Sequence, residues 1–268
     1  MEIAFFHLDT FTNRQFSGNP AAVCLLSEWL VDEKLQAIAA ENNLPAMVFL
    51  VRTDDVFTIR WFNPENEIAL CGHGSLAAAF VIFNILEPIW HEAQFNSPKA
   101  GLVRVRRHNS LFELSFPARR ITAIATPELL SKGLGVIPNE VYEHTNSLVA
   151  VLNEEETVRG LNPSMSTLAL LPQDRIVITA ASKTVDFVSR TFYPKKIIMK
   201  EDSVTGSSHC LLIPYWAKKL HKKNLHAYQV SPRGGELFCQ DCNNSVLISG
   251  AAVLYSRGHI FTELANVI

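Results

Sequence analysis

Cys71-Gly72-His73-Gly74-Ser75-Leu76-Ala77-Ala78-Ala79-Phe80-Val81-Ile82-Phe83 opens on a turn of small residues and runs into a segment that is apolar almost all round. Such a segment has no polar face to show to water, so Gly74 to Leu86 reads as a helix enclosed by other elements. The pattern returns later in the chain. Thr205-Gly206-Ser207-Ser208-His209 is again a small-residue turn, and it leads into a second buried helix over Ser207 to Leu220. One enclosed helix in each half predicts a chain built twice on the same plan, each half a sheet wrapped round its helix. The expected class is α+β, with both helix N-termini near the boundary between halves.

The segments around these helices fit that plan. Ile3 to Leu8, Ala21 to Leu26, Val48 to Arg52, Phe57 to Phe62, Leu102 to Arg107 and Leu111 to Phe116 are short, rich in β-branched or aromatic residues and bounded by turn formers. Leu148 to Leu152, Ile176 to Ala180, Phe187 to Tyr193, Val246 to Ser249 and Ala252 to Tyr255 do the same in the second half. Trp29 to Glu41 sets Leu30, Leu35, Ile38 and Ala39 on one apolar stripe and reads as a surface helix. The boundary is expected in Pro117 to Pro127, giving halves of 1–117 and 118–268, the first open to completion by the last residues of the chain.

The 268 residues are 48% hydrophobic and 19% charged, enough to bury about 70–75% of the unfolded surface and against extended disorder. Lys and Arg number 24 against 26 Asp and Glu, a net charge of −2, which gives no electrostatic reason to expect nucleic acid or an anionic membrane. The opening MEIAFFHLDTFTNRQ reads as a first strand rather than a signal peptide, and no apolar run is long enough for a membrane span. Five cysteines, an odd and sparse set, argue against a secreted disulfide scaffold, so a reducing cytoplasm is the expected compartment.

A helix N-terminus offers unpaired N–H groups and the positive end of the helix dipole, and two of them facing one cleft would hold a carboxylate or a developing oxyanion. The plainer explanation of Gly72, Gly74 and Gly206 is tight entry into a buried helix. Neither turn has phosphate-loop or dinucleotide-binding spacing. Cys239-Gln240-Asp241-Cys242 has half the spacing of a zinc knuckle, but no second pair accompanies it, and it reads as a hairpin; no metal is expected. Lys218, Lys219, Lys222 and Lys223 complement the C-terminal end of the second buried helix.

Three stretches in order, Phe16-Ser17-Gly18-Asn19-Pro20-Ala21-Ala22-Val23, Leu70 to Leu76 and Glu201-Asp202-Ser203-Val204-Thr205-Gly206-Ser207-Ser208-His209, resemble the PhzF-like family named for phenazine biosynthesis. Trp61-Phe62-Asn63-Pro64 with Glu67, Asp186 to Phe192, and Ser231-Pro232-Arg233-Gly234-Gly235-Glu236-Leu237 extend the resemblance from about Ile3 to the end. It implies the diaminopimelate epimerase-like fold, a homodimer, no cofactor, and isomerase chemistry that moves a proton on a small carboxylate-bearing metabolite, of the racemase, epimerase or double-bond-shift type. The same resemblance assigns site positions. His73, Asp202 and Ser207 fall on family active-site residues, and Cys71 falls where the related two-thiol epimerases keep one catalytic cysteine. Thr205 holds the other thiol position, which disfavours a two-cysteine mechanism because an alcohol is too weakly acidic to match a thiolate.

One position departs from the family. The segment that usually reads Asn-Leu-Ser-Glu-Thr is Asn43-Leu44-Pro45-Ala46-Met47, so the catalytic glutamate is replaced by Ala46, whose methyl group accepts no proton. The expected catalytic pair is then Asp202 with His73, with Cys71 a further candidate. Asn19, Gly72, Gly74, Ser75, Gly206 and Ser207 are the expected substrate-binding residues. The alternative is a catalytically silent member that binds a small carboxylate or serves as a dimeric interaction protein. The plain structural roles are a local helix-entry bond for His73, a turn cap for Asp202, an inert buried thiol for Cys71 and a turn bond for Asn19.

Overall fold

Ala21-Ala22-Val23-Cys24 and Met47-Val48-Phe49-Leu50 expose at most 1% of any residue, which a strand achieves only when both of its faces are covered. A computed structural model, describing residues 1–262, shows what covers them. The chain divides into two compact units, Met1–Leu114 with the chain from Gly250 onward, and Ser115–Ser249.

The first unit runs β1 (Glu2–Thr10), β2 (Asn19–Leu26), α1 (Asp32–Asn42), β3 (Ala46–Thr53), β4 (Val56–Phe62), β5 (Glu67–Ile68), α2 (Gly72–Val81), β6 (Glu92–Ser97), β7 (Gly101–His108) and β8 (Leu111–Pro117). β2 and β3 pair in parallel, with α1 on one face and α2 on the other. Because side chains alternate along a strand, Ala22, Cys24, Met47, Phe49 and Val51 join Leu35, Ile38 and Ala39 of α1 in one cluster. Ala46, Val48 and Leu50 take the opposite, α2 side. Leu76, Ala77, Ala78, Ala79 and Val81 of α2 are fully buried, so the helix is enclosed on every side; its small alanines let the strands come close.

The second unit runs β9 (Thr122–Ile124), α3 (Glu128–Leu134), β10 (Glu140–His144), β11 (Ser147–Val151), α4 (Glu155–Gly160), α5 (Met165–Leu168), β12 (Arg175–Ala181), β13 (Phe187–Phe192), β14 (Glu201–Asp202), α6 (Gly206–Leu220), β15 (Asn224–Gln229), β16 (Gly235–Asp241) and β17 (Ser245–Gly250). Here α3, α4 and α5 replace α1 over the outer face, where Leu130, Leu134, Val158 and Leu168 pack on Leu148, Ala150, Ile176 and Ile178. The enclosed helix is α6. It carries Pro214, which lacks the N–H that would bond the Cys210 carbonyl; that carbonyl accepts from the Arg119 N–H at 3.0 Å instead, so the helix continues without an orphaned acceptor.

The internal repeat is visible at the level of strand pairing. β1–β2 is antiparallel, β2–β3 parallel, β3–β4 antiparallel and β4–β6 parallel. The series β10–β11, β11–β12, β12–β13 and β13–β15 repeats those four senses in order. It extends to side chains. Arg60 of β4 holds Glu67 of β5 through two bonds of 2.8 and 3.0 Å, and Arg190 of β13 holds Glu201 of β14 through two of 2.7 and 2.8 Å. Both guanidiniums lie over the phenylalanine two residues on, Phe62 and Phe192, at 5.1 and 4.9 Å. The register then equates Met47, facing Phe62, with Ile176, facing Phe192. It therefore equates Ala46 with Arg175, and His73 with Ser207. The last strand, β18 (Ala252–Phe261), pairs antiparallel with β1 along its whole length, from Glu2↔Phe261 to Thr10↔Ala252.

Candidate functional site

The turn that enters α2 collects the first set of expected residues. Cys71 is the N-cap, in extended backbone, and its carbonyl accepts the Ser75 N–H at 2.9 Å and the Ser75 hydroxyl at 2.8 Å. The Ser75 hydroxyl is thereby spent within its own helix turn. Gly74 is required by packing, because a Cβ there would lie 2.9 Å from Trp61 Cδ1 and 3.1 Å from Val48 Cγ2. The Cys71 thiol lies 3.4 Å from His73 Nδ1. Burial pushes the His73 imidazole down to about 4, so at neutral pH it carries no charge and keeps one ring nitrogen as an acceptor.

Two more expected positions belong to this unit. Asn19 opens β2, is fully buried and accepts the Thr10 hydroxyl on its carbonyl at 2.8 Å. The preceding Gly18 has φ +68°, and a Cβ there would lie 2.1 Å from the Thr10 carbonyl oxygen, so the position is closed to any side chain. Ala46 opens β3 opposite Ala21 and is fully buried.

The turn that enters α6 collects the second set. Thr205 is the N-cap; its hydroxyl donates to Asp202 Oδ2 at 2.8 Å, and its N–H donates to Gln229 Oε1 at 2.8 Å. The Gln229 amide nitrogen donates to the Asp202 carbonyl at 2.7 Å, so a fully buried glutamine ties the turn to the strand it leaves. Ser207 is exposed, and Gly206 is half-buried with nothing within 4 Å of where a Cβ would sit. Tight helix entry thus explains Gly74 but does not explain Gly206, which leaves open space above the N-terminus of α6.

Sequence reasoning missed three residues here. Arg175 opens β12 and donates to Ser147 Oγ at 2.9 Å and to Ser207 Oγ at 2.8 Å. Tyr193 follows β13; burial raises its hydroxyl pKa, with the Asp202 charge acting in the same sense and Arg175 opposing it. Gln229 is the third. A signal was present for Tyr193 alone, since Arg60-Trp61-Phe62-Asn63-Pro64 and Arg190-Thr191-Phe192-Tyr193-Pro194 share Arg-x-Phe-x-Pro, which aligns Tyr193 with Asn63.

Cys239 and Cys242 flank the β16–β17 turn as a hairpin, with Asp241 opposite Val246 and both thiols free. Among the described residues no group of three His, Cys, Asp or Glu is placed to hold a metal, and no helix is long and apolar enough to cross a membrane.

Two units, each of sheet packed on an enclosed helix whose small-residue N-terminus carries polar side chains, define an α+β protein built twice on one plan. Residues 8–258 match the phenazine biosynthesis-like protein family, PhzC-PhzF, and the chain belongs to it. It is 44% identical over 97% of its length to an uncharacterized isomerase of Pseudomonas aeruginosa, of which it covers 99%. A crystal structure of a PhzF-family phenazine biosynthesis protein from Enterococcus faecalis superposes with a TM-score of 0.94 at 41% identity, covering 98% of this chain and all of that one. One of a putative phenazine biosynthesis PhzC/PhzF protein from Clostridium difficile gives 0.91 at 40%, covering 97% of this chain and all of that one. The chain is therefore an isomerase-like protein with the PhzF fold.

Proposed function

We propose that the protein is a cofactor-independent isomerase that moves a proton on a small carboxylate-bearing metabolite, with Asp202 and His73 as its proton-handling groups. The observation that carries the reading is the placement of His73: its ring lies 3.4 Å from the Cys71 thiol at the N-terminus of a buried helix, and burial keeps the imidazole neutral, with one ring nitrogen an acceptor. Asp202 is a carboxylate positioned by the Thr205 hydroxyl. Gly72, Gly206 and Ser207 supply amides for the substrate carboxylate. A biosynthetic role and a homodimeric state, which the resemblance implies, and a cytoplasmic location, which the sparse cysteines suggest, belong to the same proposal.

Ala46 favours a second reading, a silent member that binds a small carboxylate without turning it over. The two separate by proton exchange in heavy water, followed by NMR on a panel of small amino acids and unsaturated ring carboxylates. The isomerase reading predicts deuterium uptake by the natural protein and its loss, by about 10²–10⁴-fold, in Asp202→Asn. Exchange unchanged in that variant rules out Asp202 as base. Ala46→Glu sharpens the result, because it puts a carboxylate back at the position where the family pattern has its glutamate. Uptake only by the glutamate variant assigns the natural protein to the silent class.

A further inference from the structure

A proline in a helix interior is strongly unfavourable, yet Pro214 sits within the 15-residue α6. What its missing N–H admits is a strap of chain. The Arg119 N–H takes the Cys210 carbonyl at 3.0 Å, the Ala118 N–H donates to the Asn244 carbonyl at 3.0 Å, and His144 Nδ1 donates to the Arg120 carbonyl at 2.7 Å. These three bonds lay Ala118-Arg119-Arg120 beside the C-terminal half of α6 and hold two consecutive arginines there.

Between strap and helix lies a cleft of about 660 Å³, inside the second unit. Arg119, Arg120, Lys218 and Lys219 bring four cations to it, against the single carboxylate of Glu140. That carboxylate is already engaged. Its Oε2 accepts the Tyr142 and Tyr215 hydroxyls at 2.6 and 2.8 Å, and its Oε1 accepts Lys219 Nζ at 2.6 Å. Arg119, Arg120 and Lys218 are exposed, and among the described residues their side chains make no hydrogen bond or ion pair. The partial charge at the C-terminal end of α6, about half an electron, cannot account for cations that come from both the helix and the strap. Pro214 and the edge-to-face pair of Tyr142 and Tyr215, ring centroids 5.4 Å apart, give the cleft an apolar wall. Lys218 lies roughly 18 Å along α6 from Gly206, at 1.5 Å per residue, so the cleft is separate from the helix-entry turn of the candidate site.

We infer that this cleft is a second ligand site, which takes an aryl phosphate: a dianionic phosphate carried on a flat apolar group. A phosphate monoester carries about −1.5 to −2 at pH 7, which suits the three cations left over by the Glu140–Lys219 pair better than the single charge of a carboxylate. Guanidinium forks and an ammonium both bond phosphate oxygens. The flat group lies against Pro214 and the tyrosine rings, in a cleft whose volume is that of an organic-ligand pocket rather than of a bare ion.

The test titrates phenyl phosphate into the intact protein by calorimetry, with inorganic phosphate and benzoate as separate arms at matched ionic strength. Phenyl phosphate should bind saturably and more tightly than either. Arg119→Gln combined with Lys218→Gln should weaken it about 10- to 100-fold, at an unchanged melting temperature because neither side chain is bonded within the protein. Pro214→Ala gives α6 back an N–H for the Cys210 carbonyl in competition with Arg119. It should weaken binding by about 2- to 10-fold, the cost of ordering a freed strap, although every cation remains. Affinity unchanged in both variants overturns the proposal, as does inorganic phosphate or benzoate binding as tightly as phenyl phosphate. In ¹⁵N spectra the ligand should shift the Arg119 and Arg120 amides and leave those of Gly206 and Ser207 in place; the opposite pattern puts the ligand at the helix-entry turn and overturns the proposal. A dimer of the natural protein that dissociates in the double variant, read by sedimentation, assigns the cleft to a second copy of the chain and overturns it too.

Discussion

His209 and His73 are two histidines of the helix-entry turns, and both are held neutral by burial. His209 donates from Nδ1 to the Thr205 carbonyl at 2.9 Å, while its Nε2 lies buried without a hydrogen-bond partner. Desolvation pushes its pKa from the ordinary 6.5 down to about 4, although the bond to Thr205 opposes the shift. The unfolded chain takes up a proton near pH 6.5 and the folded chain does not, so stability is complete above that pH and falls as the pH drops towards 4. His209→Gln keeps a donor for the Thr205 carbonyl and removes this titration. Urea unfolding between pH 7 and 4 should show a flatter loss in the variant, by up to roughly 3 kcal/mol at the acid end. A variant as acid-sensitive as the natural protein would show that His209 titrates normally. The residues of the two turns were legible as a motif, but their protonation was not, because it depends on how many layers of other chain exclude water from each ring.

The two arginine–glutamate pairs show what joins neighbouring elements. Arg190 does more than bind Glu201, since its Nη1 also donates to the Leu161 carbonyl at 2.7 Å, which ties the segment after α4 to β13. Arg190→Ala strands the Glu201 carboxylate and the Leu161 carbonyl together and should cost about 3–5 kcal/mol, read as a lower urea midpoint. A loss below 1 kcal/mol would mean water replaces the guanidinium without penalty. The central helices and most strands could be read from their periodicity, with limits within a few residues of those found. β6, β9, β10, β15, β16, the two-residue β5 and β14 and the short helices α3, α4 and α5 could not. Glu140-Val141-Tyr142-Glu143-His144 carries too many polar residues to signal a strand; its pairing with β11 from Glu140↔Val151 to His144↔Ser147 makes it one.

Over the whole chain, the pairing of β1 with β18 links the beginning of the sequence to residues some 250 positions later. Without β18 the strand β1 presents an unpaired row of N–H and C=O groups, a template for pairing with another chain. A chain ending at Ser249 should therefore lose the cooperative melting of its first unit and form aggregates detectable by light scattering. A monomeric truncated chain with an unchanged melting curve would show the strand to be dispensable. Two enclosed helices, their small-residue entries and membership of the family were all in the amino-acid order, because burial of an all-apolar helix and the identity of a motif are local properties. The partner of Cys71, the charge state of His73, the place of Arg175 beneath Ser207 and the closure of β1 by β18 were settled by folding. Each depends on bringing together groups whose separation along the chain carries no periodic signal, or on the water their neighbours displace.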